Sequence, residues 1–115
     1  MLTIKEKGIL LYIVDYCNRI ESKSVNLTRQ MLDKDKDITE IICFNILQIG
    51  ELAKGLSDEF IAKYNSVPWK SIKGMRDKVA HGYGTINLDQ VWQAAISDIP
   101  TLKKYCEMII KKEGE

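Results

Sequence analysis

Apolar residues return at every third or fourth position along nearly the whole chain, and that period dictates helices. Ile9, Tyr12, Ile13, Tyr16, Cys17 and Ile20 follow it, so a first helix is expected over residues 4–21. Thr3 and Glu6 form a capping-box pair at its start. Residues 26–32 fit a short helix. Asp37 stands before a long helix expected over 38–56. One side of it carries Ile41, Asn45, Gln48, Ile49, Leu52, Ala53 and Leu56, and a second stripe carries Phe44, Leu47 and Glu51. Two stripes imply more than one packing neighbour. Ser57 caps a short helix bearing Phe60, Ile61 and Tyr64. Pro68 suits the first position of a further helix, which runs from Trp69 towards His81 and stops at Gly82. Asn87 caps the last helix. Pro100 falls inside that final pattern and lacks a backbone donor. A kink or break is therefore expected near residues 97–100, with the helix resuming through Lys111.

No segment alternates with a period of two, and no repeat or linker divides the chain. The expected class is all-α: an antiparallel bundle of four main helices plus one or two short ones, in a single domain over residues 1–115. The chain is 45% apolar and 29% charged, which excludes disorder by composition.

Cys17, Cys43 and Cys106 are odd in number, far apart and in no C-x-x-C pair. They read as reduced core thiols of a cytoplasmic protein, without a zinc or redox motif. Lys5, Glu6 and Lys7 interrupt the start of the chain where a signal peptide needs its apolar stretch. The longest apolar run, residues 9–14, is far short of a membrane span. The single histidine excludes a His-rich metal centre. No metal and no cofactor are expected.

Net charge is +1, which excludes a strongly basic coat. The charge is uneven, however. Lys70, Lys73, Arg76 and Lys78 against the one acid Asp77 leave residues 70–81 at +3 and the remainder at −2. Such a patch attracts phosphate locally, and Lys70, Lys73 and Lys78 are the candidate phosphate contacts. Asp77 and His81 are four apart and share a helix face, so Asp77 is expected to bond one ring nitrogen of His81 and fix its tautomer. Arg76 and His81 are five apart, about 140° round a helix. They diverge unless the helix end is distorted or two chains share a cleft about a two-fold axis. In such a cleft Arg76 would grip a phosphate, and His81 would move a proton to or from a ribose oxygen.

On spacing alone, plainer readings lead. A histidine at a helix C-terminus is often a cap. A lysine-rich helix face is usually only solvated, and R-x4-H is a weak pattern. Glu51, directly after Gly50, either pairs with Arg76 or a nearby lysine of the patch, or bridges to Lys54 or Lys5 at the surface. Gly50 would allow close helix approach. Trp69 and Trp92 read as core or interface anchors.

Arg76, His81 and Tyr83 in R-x4-H-x-Y spacing resemble the motif of HepT-like toxins, in the HEPN superfamily of helical ribonucleases. The run Phe44, Asn45, Ile46, Leu47, Gln48, Ile49, Gly50, Glu51 is similar to the family's long helix. Val67, Pro68, Trp69, Lys70, Ser71 and Ile72 are similar to its approach to the motif. Asp98, Ile99, Pro100, Thr101 and Leu102 are similar to its last helix. The likeness covers roughly residues 3–110. It implies a homodimer with a shared RNA-cleaving cleft and Arg76 and His81 as catalytic residues; Asp77 and Glu51 are the candidate supporting residues from their positions alone. It also implies a small nucleotidyltransferase antitoxin that adds AMP to Tyr83. Tyr83 lies between Gly82 and Gly84, whose backbone freedom suits an accessible loop. Many relatives carry asparagine where this chain has Asp77. A non-catalytic nucleotide- or nucleotidyltransferase-binding module is the alternative.

Overall fold

The computed structural model describes residues 2–81 and 87–114. The fold is all-α, and among the described residues there is no strand. Helix α1 (Ile4–Ser24) is followed by short α2 (Arg29–Lys34), long α3 (Lys36–Ala53), short α4 (Asp58–Lys63) and α5 (Trp69–Ala80). The chain ends in α6 (Leu88–Gln93), a π turn (Ala94–Asp98) and α7 (Ile99–Gly114), which run on as one helix. α3 packs between α1 and α5, and α1 packs against α7 on its other side. Among the described residues this makes four long helical units and two short ones. Among the described residues no helix is long and apolar enough to cross a membrane.

The caps explain most boundaries. Thr3 accepts from the Glu6 amide, and Glu6 accepts from the Thr3 amide, each at 3.0 Å. These bonds close the expected capping box. The Ser57 hydroxyl accepts from Phe60 N–H, and the Asn87 side chain from Asp89 N–H. The cap of α3 is Asp35, not Asp37: its carboxylate accepts from Ile38 N–H at 3.2 Å. The helix therefore starts two residues early, with Asp37 inside its first turn.

Three local departures have physical causes. Asn26 does not open the short helix. It sits at φ 63°, which asparagine tolerates better than most residues. Leu27 N–H donates to the Ser24 carbonyl at 3.0 Å and closes a tight turn there. Pro68 precedes the first position of α5 rather than filling it. Its φ of −79° and ψ of 62° are those of an inverse γ-turn, in which Trp69 N–H donates to the Val67 carbonyl at 2.8 Å. At Pro100 the helix widens instead of breaking. Ile99 N–H reaches back five residues to the Ala94 carbonyl. The wider turn just before Pro100 accommodates the missing donor and relieves the ring's clash with the preceding turn.

The core holds Leu10, Ile13, Cys17 and Ile20 of α1, Ile42, Cys43, Ile46 and Ile49 of α3, and Leu102, Cys106 and Ile109 of α7. All three cysteines are free and buried. Ile41 and Phe44, expected on packed stripes, are exposed. Their place is taken by Ile42, Cys43 and Ile46, one position round the helix. Trp69 is buried, with its ring nitrogen donating to the Tyr64 carbonyl at 3.1 Å. Trp92 is half-buried against the core.

Candidate active site

Helix α5 meets α3 by placing Arg76 over Gly50. A methyl group on Gly50 would overlap Arg76 Cβ and stand 2.5 Å from its Cγ. Only glycine admits this approach, so the expected close contact at Gly50 is made by the stem of Arg76. The Arg76 side chain is 22% exposed, and its Nε is buried without a hydrogen-bond partner.

The terminal nitrogens of Arg76 each meet a carboxylate. One pairs with Glu51 of α3. The other donates to Asp77 at 2.9 Å. Glu51 also meets Lys54 at 3.5 Å, so both alternatives for Glu51, the arginine and the surface lysine, are realised together. Lys54 is a member of this cluster that sequence reasoning placed only as a surface partner. The i, i+3 spacing from Glu51 was the signal available.

Asp77 does not bond His81. Its carboxylate turns to the adjacent guanidinium, a charged donor within bonding distance. The bond from Arg76 holds the Asp77 carboxyl below its usual range, and the fields of Arg76, Lys54 and His81 add to it. His81 is exposed and caps α5. Its backbone N–H still donates to the Asp77 carbonyl at 3.1 Å, and its φ of −81° and ψ of −3° stay right-handed. The helix end is thus not folded back, and the angular divergence of Arg76 and His81 persists. Among the described residues the imidazole makes no hydrogen bond.

The lysines divide. Lys70, Lys73, Asp77 and His81 lie within about 80° of one another round α5, and Arg76 lies to one side, turned towards α3. Lys70 is exposed and Lys73 half-buried, and neither makes an ion pair among the described residues. Lys78 donates to Gln90 of α6 at 3.1 Å and is engaged within the fold. Tyr83 lies outside the described residues. Among the described residues no group of three histidine, cysteine or acidic side chains is placed to hold a metal ion.

The arrangement spreads a pre-positioned guanidinium, an exposed imidazole and two lysines without ion pairs among the described residues along the length of one helix. A family model described as "Ribonuclease HepT-like" matches residues 13–109. The protein named "Putative RNase TTE0752" from Caldanaerobacter subterraneus subsp. tengcongensis is 34% identical over 104 residues, 90% of this chain and 93% of that protein. "Putative RNase MJ0127" from Methanocaldococcus jannaschii is 36% identical over 104 residues, covering 90% and 80%. "Probable ribonuclease HepT" from Thermococcus cleftensis is 28% identical over 105 residues, covering 87% and 94%. No solved structure matches the chain.

Proposed function

Because the chain belongs to the ribonuclease HepT-like family, we propose that it is a metal-independent RNA endonuclease, the toxin of a toxin–antitoxin pair. Two copies share a cleft in which Arg76 binds the scissile phosphate. His81 takes the proton from the ribose 2′-hydroxyl or gives one to the leaving oxygen. Lys70 and Lys73 steer the RNA strand, with Lys78 in reach once it leaves Gln90. A nucleotidyltransferase antitoxin silences the enzyme by adding AMP to Tyr83, which sets bulk and negative charge at the cleft mouth.

The observation that carries this reading is the contrast between Arg76 and His81. The arginine is braced by Glu51 across the helix pair, while the imidazole stands open. A fixed phosphate ligand and a free proton carrier suit phosphodiester cleavage when one cleft holds both. Their divergence on one helix favours completion of the site by a second copy.

A second reading is a non-catalytic module that binds a nucleotide or a nucleotidyltransferase. The contact of Asp77 with Arg76 favours it, since that carboxylate occupies a donor needed for RNA. Incubating the purified protein with total RNA and EDTA, beside a His81→Ala control, separates the two. Cleavage that disappears in the control supports the endonuclease. Intact RNA, with harmless overexpression, leaves the binding module.

A further inference from the structure

Arg76 is held between two carboxylates, and the two are not equivalent. Glu51 reaches it from α3 and is itself held by Lys54 at 3.5 Å. Asp77 follows Arg76 in sequence, and its side chain is 56% exposed. Among the described residues Asp77 has no side-chain hydrogen bond except the one from Arg76. With Lys54 on Glu51 the four charges balance, but each terminal nitrogen of Arg76 already meets a carboxylate. A phosphodiester gains a two-point grip on the guanidinium only by removing one of them. The carboxylate free to leave is the exposed one. A second cation belongs to the same cluster: the Lys54 ammonium lies 3.5 Å from Glu51, which with Asp77 flanks the same guanidinium, and its field reaches Asp77.

We infer that Asp77 is an exchangeable guard on Arg76: an entering phosphodiester replaces Asp77 on the guanidinium, Lys54 receives the displaced carboxylate, and Glu51 keeps its hold. The inference rests on reading Arg76 as the phosphate-binding arginine. Lys54 is then a positioning residue, acting on the phosphate through Asp77. The guard sets a threshold, because short or weakly bound anions do not displace it, whereas an RNA strand anchored also by Lys70 and Lys73 does.

The test uses the full chain and a fluorescein-labelled 2′-O-methyl RNA dodecamer, which lacks the 2′-hydroxyl needed for cleavage. Binding is read by anisotropy, with melting temperature as the control for folding. Asp77→Asn is expected to tighten binding by about threefold or more, the scale of one exposed ion pair. Lys54→Met weakens binding, and Lys54→Arg restores it. In the Asp77→Asn background the effect of Lys54→Met shrinks, since no carboxylate is left to receive. Equal affinity of Asp77→Asn and the unaltered chain would overturn the exchange, and so would an undiminished Lys54→Met effect in the double variant. RNA cleavage by the unaltered chain beside unchanged Asp77→Asn binding removes the guard and keeps the endonuclease. Tighter Asp77→Asn binding with no cleavage of ordinary RNA keeps the guard and removes the endonuclease.

Discussion

Gly50 of α3 lies directly beneath Arg76 of α5, so close that a single added methyl group would overlap the arginine's Cβ. The contact is between a helix backbone and an arginine stem, not between two apolar side chains. It sets the spacing of the two helices where the candidate site is built.

Gly50→Ala therefore sets two effects against each other. Alanine gains about 1 kcal/mol in helix propensity, and overpacking costs about 1–3 kcal/mol. Because the clash is with Cβ and Cγ rather than a flexible tip, overpacking wins. The variant is expected to melt at lower temperature and to lose RNA cleavage as Arg76 shifts. Urea denaturation measures the first effect. A variant as stable as the original would mean that α5 moves aside without strain.

A shared cleft predicts complementation. Arg76→Ala and His81→Ala chains, each inactive alone, are mixed, unfolded and refolded together. Mixed dimers then pair an intact Arg76 on one chain with an intact His81 on the other. If the two groups act across the two-fold axis, about a quarter of the activity returns. A mixture as inactive as its parts shows that each site needs both residues from one chain.

Near the C-terminus of α7, Glu113 accepts from Lys63 at 2.7 Å and from the Tyr64 hydroxyl. Its side chain is only 7% exposed. These bonds, that from Lys63 foremost, hold its pKa at about 2 against a usual 4.5. A depressed carboxylate stabilises the fold above its unfolded value, so the contribution is complete above about pH 4.5. It is lost as pH falls towards 2. Acid titration of the melting temperature should show this limb, and Glu113→Gln should flatten it. An identical acid limb in the variant would assign the effect to other carboxylates.

The thiols should resist modification. Burial pushes Cys43 up to about 11 and Cys106 up to about 12, and raises Cys17 as well. The reactive thiolate is scarce, and solvent does not reach it. A disulfide reagent at pH 8 should label none of the three in the native protein and all three in urea. Rapid native labelling of one cysteine would reveal local opening at its helix.

The helices were legible because their signals are local. Thr3 with Glu6, Ser57 and Asn87 each cap the helix that follows them. Asp35 and Asp37 show the limit: two carboxylates lie within one turn, and only the folded geometry selects between them. Ile41 and Phe44 show another. An apolar stripe tells which side of a helix avoids water, but not whether a neighbour covers it. The π turn depends on how Pro100 and the core share one helix, which no local pattern encodes. At the site, Glu51 and Arg76 were paired in advance as one of two alternatives. The turn of Asp77 to Arg76 rather than His81, and the place of Lys54 beside them, arise from the packing of α3 on α5.

The brace between Glu51 and Arg76 also has an entropic meaning. A free arginine side chain gives up about 2 kcal/mol of rotamer freedom when it is pinned. Here Gly50 fixes the stem and Glu51 fixes the tip when the chain folds. An anion arriving later finds that freedom already removed. The free energy of folding and the grip on a phosphate thus draw on the same ordered side chain. Loosening it by mutation should be felt as weaker anion binding, even where the guanidinium charge is unchanged.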